Sequence, residues 1–468
     1  MRLSESNADS LPGHVIRPVY DRDKQQIGIV HLGLGAFHRA HQALYTDDAM
    51  NHGDRDWLIA GVSLRSPAVR NELAPQDCLY TVAERGLEDS IRLVGSIARV
   101  HVATESPESV IADIAANATR IVTITVTEKG YHRRAEGSLD LANADIAADL
   151  DATSAPRTLY GFLREGLARR RDRGMSGITV ISCDNLQENG SKLAALLKDF
   201  LERSDPELAR WVQRECAFPS TMVDRIVPAT TDELRADIEK RIGMRDAACV
   251  ATESFCQWVI EDHFAGPRPR WEAGGAELVT DVRPYETAKL RILNGAHSAL
   301  AYLGLERGYH YVHEAIDDVA IRSTCERLMR LEAAGSFTAA HGQNLDVYCD
   351  TLLARFANQK LQHRLAQIAM DGSQKIPQRW LATLQDQQRS GRSCSAILEA
   401  LAAWIVHVKG EGDRVDDPAA QLLAKLWVER GRDGIVSALF GERGHFGTEW
   451  VATPEDVTAL HRGITKTN

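Results

Sequence analysis

The sequence lacks a long apolar run, an excess of basic residues and closely spaced cysteine pairs. Its longest apolar stretch, at 396–408, is too short to span a bilayer. Its first residues have neither the basic n-region nor the apolar h-region of a secretory signal. The 55 basic residues are outnumbered by 65 acidic ones, and a net charge of −10 disfavours binding to nucleic acid or to anionic membranes. None of the eight cysteines forms a C-x-x-C pair, which is typical of free thiols in a reducing compartment. We therefore expect a cytoplasmic protein with no nucleic-acid or membrane partner.

Strand-like and helical segments alternate over the first 280 residues. The buried strands are predicted at 27–33, 58–64, 119–130 and 177–185. Helices are predicted between them, for example at 36–50 and 158–174, and near-continuous apolar strands of this kind indicate a parallel sheet covered on both faces. Beyond about residue 280 the pattern is helical. The predicted fold class is α/β, with a sheet domain over 1–280 and a mostly α-helical domain over 281–468.

A glycine-rich turn follows the first strand and reads Gly33-Leu34-Gly35-Ala36-Phe37-His38, a G-x-G-x-x-H pattern. In dinucleotide-binding turns the first glycine permits the tight turn and the second lets the pyrophosphate approach the backbone. The start of the next helix then supplies free N–H groups. His38 takes the place of the usual third glycine, so we expect the helix to sit slightly off the strand. A plain strand–helix turn is the alternative interpretation.

The end of the second strand bears on the choice between nicotinamide cofactors. An acidic residue is expected there to bind the ribose 2′-hydroxyl of NAD, but the segment reads Ser63-Leu64-Arg65-Ser66. Because Arg65 can pair with a 2′-phosphate, NADP(H) stays open beside NAD(H).

His38 and His41 form an H-x-x-H pair, a spacing found among metal ligands. No carboxylate or cysteine lies near them in the sequence to complete a ligand set, so we predict no metal site.

The segment from Pro284 to His297 carries the main candidates for catalysis and is predicted to be a helix. At about 100° per residue, Glu286, His297 and Asn294 fall about 60°, 80° and 140° from Lys289, within one arc. A solvated helix face is the alternative. The neighbours of the asparagine and the histidine are Leu, Gly, Ala and Ser, which favours a functional site.

These residue types suit the oxidation of an alcohol. A lysine can take the hydroxyl proton while hydride leaves the carbon, if burial and the positive nicotinamide ring lower its pKa. Asn294 can donate an N–H to the developing alkoxide, His297 can orient a neighbouring hydroxyl, and Glu286 can relay the proton to solvent. Asn185, at the carboxyl end of the fourth predicted strand, offers a second amide, with a turn-forming asparagine as the alternative.

Tyr285 and Lys289 also match the motif Y-x-x-x-K, which is the catalytic pair of short-chain dehydrogenases. Those enzymes carry the pair within roughly 150 residues of their glycine turn, in a single domain, whereas here it lies about 250 residues on. We therefore favour Lys289 acting without Tyr285.

Together these stretches resemble the polyol-specific long-chain dehydrogenase family, which includes mannitol 2-dehydrogenases and fructuronate reductases (D-mannonate oxidoreductases). The matching segments are IVHLGLGAFHRAHQALYTDD, TVTEKGYH, SCDNLQENG, FPSTMVDRIVPATT, QWVIEDHF, PYETAKLRILNGAHS and AMDGSQKIPQR, between residues 29 and 379. The resemblance implies a Rossmann-type N-terminal domain, an α-helical C-terminal domain, a site in the cleft between them, and no metal.

The resemblance also implies roles for single residues. Lys289 matches the general acid/base, Asn185 and Asn294 the oxyanion-hole amides, His297 the substrate-positioning histidine, and Glu286 the residue that exchanges the proton with solvent.

Other matched positions concern the ligands. Asp224 and Lys375 match substrate-contacting residues, and Glu128 and Lys129 follow the third strand near the expected nicotinamide. The implied cofactor is NAD(H), with NADP(H) as the alternative. The implied partner is a small sugar acid or polyol, and we expect a monomer or a weak homo-oligomer.

Two positions leave the substrate open. The segment around Gln367 looks like the fructuronate reductase branch, because some mannitol dehydrogenases have arginine at that position. Cys256 stands where fructuronate reductases commonly show arginine, which weakens the case for a carboxylate, although Lys375 can pair with one.

The sequence thus predicts an NAD(H)-dependent dehydrogenase that interconverts a secondary alcohol and a ketone on a sugar acid or polyol. A catalytically silent NAD-binding sensor and a short-chain-type reductase that uses Tyr285 are the alternatives.

Overall fold

The structure, a computed structural model, describes residues 1–86, 88–134, 136–151, 154–410 and 415–466. It divides into two compact units, Met1–Val282 and Arg283–Asn468, which we call the N-terminal and C-terminal units. Within the described ranges all strands belong to the N-terminal unit. No helix in these ranges is long and apolar enough to cross a membrane.

The strands of the N-terminal unit form three sheets. Among the described residues they are β1 Val15–Ile16, β2 Ile27–Leu32, β3 Leu58–Ser63, β4 Tyr80–Arg85, β5 Ser90–Val94, β6 Ile97–Val102, β7 Ile121–Ile124, β8 Thr179–Ser182, β9 Thr221–Asp224, β10 Val250–Glu253, β11 Gln257–Glu261 and β12 Glu277–Val279. The central sheet has the order β6-β3-β2-β7-β8 and is parallel throughout.

The central sheet is buried on both faces because its inner strands are apolar at nearly every position. Val30 and Leu32 of β2 belong to the hydrophobic core on one face. Ile29, from the same strand, packs into the core on the other face, together with Ile59 and Ile121. The prediction of a parallel sheet covered on both faces is confirmed, as is the α/β fold class.

The two smaller sheets were not predicted. One has the order β1-β5-β4-β10 and the other β12-β11-β9, and each mixes parallel and antiparallel pairs. Their strands have two to six residues and pair across long stretches of chain, as β4 does with β10. Pairing over such distances depends on tertiary contacts that local sequence patterns do not report.

Helices cover the sheets of the N-terminal unit. They are α1 Ala36–Ala40, α2 Gln42–Asn51, α3 Ala68–Leu73, α4 Pro107–Ile114, α5 Ala144–Asp151, α6 Leu159–Asp172, α7 Asn189–Ser204, α8 Pro206–Glu215 and α9 Asp232–Ile242. Short 3₁₀ turns lie at Glu5–Ser10, Arg22–Lys24, Ala74–Gln76, Glu128–Tyr131 and Trp271–Gly274. The prediction of one helix over 36–50 was wrong, because the backbone leaves the helical region at His41 (φ −131°, ψ −91°).

The described part of the C-terminal unit is helical. Its α-helices are α10 Arg283–Ala288, α11 Gly295–Glu306, α12 Val312–Asp317, α13 Val319–Arg327, α14 Leu345–Phe356, α15 Leu365–Ala369, α16 Gly372–Ile376, α17 Ala382–Arg389, α18 Ser395–His407, α19 Ala420–Phe440, which is interrupted at Gly431, and α20 Pro454–Lys466. Three π-helical segments lie at Lys289–Asn294, Leu328–Ala333 and Pro377–Leu381, and two 3₁₀ turns at Ala334–Ser336 and Gln359–Leu361.

Helix α11 is the centre of the C-terminal unit. Every residue from Gly295 to Gly304 is buried, and the helix packs against α12, α15 and α18. Large apolar side chains such as Trp380 and Trp404 fill the surrounding core. The residues just before α11 are therefore held by a rigid, fully packed element.

Candidate functional site

The glycine turn lies at the carboxyl end of β2. Gly33 has φ +98°, and a Cβ there would stand 2.0 Å from the Thr125 carbonyl oxygen, so only glycine fits. The N–H groups of Gly33 and Leu34 both donate to the Val62 carbonyl, at 2.9 and 3.0 Å. At Gly35 a Cβ would meet nothing closer than 3.8 Å, so the backbone of this position has room for a ligand.

His38, at the position of the usual third glycine, is buried inside the N-terminal unit. Its ring stacks on His31 with 3.5 Å between centroids, and His31 in turn hydrogen-bonds Thr123 and Thr125. Burial first, and then His31, His41 and Arg39, hold the pKa of His38 well below its usual range, so the ring is neutral. Within the described ranges no group of three or more His, Cys, Asp or Glu side chains is placed to hold a metal.

A pocket of about 360 Å³ opens at the carboxyl ends of the central strands. It brings together three of the predicted cofactor residues, Gly33, Arg65 and Lys129. The other residues that line it are Leu64, Thr125, Val126, Thr127, Gly130, His132, Arg157, Thr158 and Leu159. Gly35, Ala36, Phe37 and Glu128 are not among its lining residues; the first three follow Gly33 by two to four residues, and Glu128 lies between Thr127 and Lys129.

Asp184 fixes one wall of this pocket and was not predicted. Its buried carboxylate accepts hydrogen bonds from the N–H groups of Val126 and Thr127, both at 3.0 Å, and from the Tyr131 hydroxyl at 2.8 Å. Burial raises the pKa of Asp184. The bonds hold Thr127 at a positive φ (φ +64°, ψ 165°) directly before the turn that carries the exposed Glu128 and Lys129. The only sequence signal for Asp184 is its position directly after an apolar strand and before Asn185. Asn185 itself is exposed.

Arg65 extends from the end of β3 with three quarters of its side chain exposed. Its Nη2 donates to Asp145 at 3.2 Å. A carboxylate beside Arg65 offsets the positive charge that a 2′-phosphate would need.

Asp224 ends strand β9 and is buried. The adjacent Arg225 has a structural role. It donates hydrogen bonds to the carbonyls of Ala40 and Glu253 and forms an ion pair with Glu84 at 2.5 Å. Cys256 is half-buried, and burial raises the pKa of its thiol, while Arg225 opposes that rise.

In the C-terminal unit, the segment with Lys289 is a helix that contains a π turn. Helix α10 ends at Ala288, the π segment runs from Lys289 to Asn294, and α11 begins at Gly295. The helical angles assigned from the sequence are therefore wrong across this segment, because a π turn holds more residues than an α turn. Lys289 and Asn294 stand at its two ends, and π turns inside helices frequently mark functional sites.

His297 lies in the first turn of the buried helix α11. Its ring contacts Phe356 and His363, with centroids 4.8 and 5.5 Å apart. Burial, followed by the nearby His363, Arg355 and Arg379, holds its pKa well below the usual range, so the imidazole is neutral. Its Nε2 has no hydrogen-bond partner among the described residues. A neutral ring with an unbonded nitrogen is suited to orienting a ligand hydroxyl.

The remaining predicted residues differ in burial. Glu286 is buried on α10, while Lys289 and Asn294 are half-buried. Lys375, on α16, is half-buried and donates to the Met370 and Ile368 carbonyls, at 2.5 and 3.5 Å. Burial and the nearby Arg379 lower the pKa of Lys375.

Arg379 is the residue of this region that sequence reasoning missed. Its Nη1 donates to the Ser298 hydroxyl at 2.7 Å and to the Asn294 carbonyl at 3.3 Å. Burial lowers the pKa of Arg379 to about 10. The segment DGSQKIPQR contained this residue, but its pattern gave no reason to separate Arg379 from other helix-surface arginines.

The structure thus gathers Glu286, Lys289, Asn294 and His297 along one continuous helical run in the C-terminal unit, with Arg379 joined to it by hydrogen bonds. Asn185 and Asp224 belong to the N-terminal unit.

Family comparisons agree with this division of the chain. Residues 27–273 match the mannitol dehydrogenase Rossmann domain, and residues 281–464 match the mannitol dehydrogenase C-terminal domain. The Rossmann-type character expected for the first part of the chain is therefore confirmed.

Individual relatives point the same way. D-mannonate oxidoreductase of Escherichia coli is 40% identical over 95% of this chain and 94% of its own. Mannitol 2-dehydrogenase of Phaeosphaeria nodorum is 39% identical over 94% of this chain and 80% of its own. The structure of Pseudomonas fluorescens mannitol 2-dehydrogenase, a ternary complex with NAD and D-mannitol, is 36% identical, covers 100% of this chain and 96% of its own, and superposes with a TM-score of 0.86. The chain belongs to the mannitol dehydrogenase family.

Proposed function

We propose that the protein is an NAD(H)-dependent oxidoreductase that interconverts a secondary alcohol and a ketone on a linear sugar acid or polyol. D-mannonate/D-fructuronate and D-mannitol/D-fructose are the leading substrate pairs. The observation that carries the proposal is the π turn, which begins at Lys289 and ends at Asn294. It continues into the helix of His297, a neutral histidine whose Nε2 has no hydrogen-bond partner among the described residues. The relatives named above support the substrate class.

The glycine turn fits a dinucleotide. The open backbone at Gly35 and the first N–H groups of α1, at Ala36 and Phe37, would hold the pyrophosphate. We favour NAD(H) over NADP(H), because the Asp145 carboxylate lies 3.2 Å from Arg65 Nη2 and would repel a 2′-phosphate bound there. Glu128 and Lys129, held by the loop that Asp184 anchors, would lie beside the nicotinamide. When bound, this cofactor accepts hydride from the alcohol carbon or returns it to the ketone.

The proton is handled by the chain's own residues. In the direction of oxidation, Lys289 takes the hydroxyl proton while the C–H hydrogen leaves as hydride, and the C–O bond becomes a carbonyl. The amides of Asn294 and Asn185 stabilise the negative charge that develops on the oxygen. Glu286 passes the proton from Lys289 towards solvent. In the reverse direction Lys289 returns a proton to the oxygen.

Substrate positioning falls to other residues. The Nε2 of His297 would hydrogen-bond a substrate hydroxyl, and Asp224 and Lys375 would contact further polar groups. The N-terminal unit is thus proposed as the dinucleotide-binding domain and the C-terminal unit as the substrate and catalytic domain.

The test is the change in absorbance at 340 nm when NADH is mixed with D-fructuronate, D-fructose, D-tagaturonate or D-xylulose between pH 6 and 9. The proposal expects turnover with at least one of these ketoses. Tight NADH binding without turnover of any of them would contradict it and would favour the silent sensor instead.

A further inference from the structure

Arg379 is a half-buried cation with an unusual set of partners. Of its three guanidinium nitrogens, Nη1 carries both hydrogen bonds, to Ser298 and to the Asn294 carbonyl. Nε and Nη2 bond to no described residue, and no carboxylate in the described part of the chain forms an ion pair with Arg379. A partly desolvated arginine gains from a carboxylate partner, because removing a charge from water is costly unless the charge is paired.

The groups around Arg379 do not supply a compensating negative charge on the side of His297. The neighbours that influence the His297 ring are His363, Arg355 and Arg379, and all of them oppose a positive charge there. Lys375, one helical turn before Arg379, adds another cation; Asp371 and Asp417 attract it. Asp417 is also bound to Ser373, through the Ser373 N–H at 2.7 Å and its hydroxyl.

The remaining Nε–Nη2 edge has the geometry that binds a carboxylate with two parallel hydrogen bonds. The Nη1 bonds to Ser298 and to the Asn294 carbonyl hold the guanidinium group against the helical run that carries Asn294 and His297. The two positions that the sequence suggested for a carboxylate contact are less suitable. Gln367 is uncharged and exposed, and Lys375 already donates to two carbonyls at the end of α15.

We infer that Arg379 determines substrate specificity by binding the carboxylate of a linear sugar acid through its Nε–Nη2 edge. This inference rests on the proposed function and narrows it, since a neutral polyol offers no negative charge to compensate Arg379. D-mannonate and D-mannitol are the matched probes, because they differ only in having a carboxylate or a hydroxymethyl group at one end.

A purely positional role is the competing explanation, because Nη1 also holds the backbone of Asn294. Arg379→Gln separates the two. The glutamine amide can still donate to Ser298 or to the Asn294 carbonyl, but it lacks the charge and the two-pronged edge. A positional role predicts equal losses for both substrates, whereas carboxylate recognition predicts a loss confined to the acid.

The experiment measures kcat and KM with NAD⁺ for D-mannonate and D-mannitol in the wild type, Arg379→Gln and Arg379→Lys. Arg389→Gln, an exposed arginine of α17, is the matched control. We expect wild-type kcat/KM to be higher for mannonate. We expect Arg379→Gln to raise the KM for mannonate by about 10- to 100-fold and to change that for mannitol by less than about threefold. Arg379→Lys should lie between, and the control should match the wild type.

Calorimetric titration of the same two compounds into the NADH-bound protein gives a readout that does not require turnover. Tighter binding of mannonate than of mannitol, lost in Arg379→Gln, supports the inference even if no turnover is seen and the proposed function fails. Equal losses for the two compounds, or a wild type that prefers mannitol in both assays, would overturn it. Melting curves of each variant show whether it is folded.

Discussion

Asp184 offers a sharp test of how the cofactor pocket is built. The change Asp184→Asn keeps the shape of the side chain but replaces one acceptor oxygen by a donor, so one of the N–H bonds from Val126 and Thr127 is lost. A hydrogen bond to a charged group is worth about 1.5–3 kcal/mol. The cost is partly offset because burial of this carboxylate is itself unfavourable, as its raised pKa shows. We expect a net loss of about 1–2 kcal/mol, or a fall in Tm of about 2–8 °C.

The functional effect should exceed that loss of stability. The loop that Asp184 holds contributes Thr125, Val126, Thr127, Lys129 and Gly130 to the pocket. Without its anchor we expect the loop to leave the positive φ that it has at Thr127, and the KM for the cofactor should rise by about tenfold or more. Initial rates at varied NADH, measured at a temperature where the variant is folded, provide the assay.

Asp246→Asn is the matched control. Asp246 is also buried and accepts from the Thr81 N–H and from Gln76, both at 2.6 Å, but it does not line the pocket. Asp246→Asn should lower Tm by about as much as Asp184→Asn does and leave the KM for the cofactor unchanged. If both variants change that KM equally, or if neither does, the assignment of Asp184 to the cofactor pocket is refuted.

Three further outcomes are expected. Gly33→Ala should prevent folding of the N-terminal unit or lower Tm strongly, because its Cβ would stand 2.0 Å from a carbonyl oxygen. Gly35→Ala should keep the wild-type Tm and raise the KM for NADH. Equal Tm values for the two variants would contradict this. Burial lowers the pKa of His31 to about 3, so it is neutral when folded but takes up a proton below about pH 6.5 when unfolded. Stability should therefore fall as pH drops below 6.5, and in His31→Gln the slope should shrink by up to about 1.4 kcal/mol per pH unit, measured by denaturant titration; an unchanged slope would contradict this. Tyr285→Phe should keep at least about half of the wild-type kcat, and an inactive variant would favour the short-chain mechanism.

The central sheet and the glycine turn were predictable because their signals are local. Strands buried on both faces are apolar at nearly every position. A glycine after such a strand indicates a turn, because Gly33 adopts a positive φ that other residues avoid. The break at His41 was not predictable, since it depends on the stacking of His38 on His31 and on the bond from His41 to the Gln257 carbonyl, more than 200 residues away.

The candidate residues of the C-terminal unit were predicted as a set, but their arrangement was not. A π turn changes the angle between Lys289 and His297, and no local pattern distinguishes it from an α-helix. Arg379 was missed for a related reason. Its importance lies in its partners on another helix, Ser298 and Asn294, and in the absence of a paired carboxylate in the described residues.

The kcat of Lys289→Ala shows whether Lys289 is the acid/base of the reaction. We expect a fall in kcat of about 10²- to 10⁴-fold, partial rescue by added methylamine, and unchanged NADH binding by fluorescence titration. Lys425→Ala, an exposed lysine of α19, should behave like the wild type in all three measurements. A Lys289→Ala variant that keeps more than about a tenth of the wild-type kcat would contradict the acid/base role of Lys289.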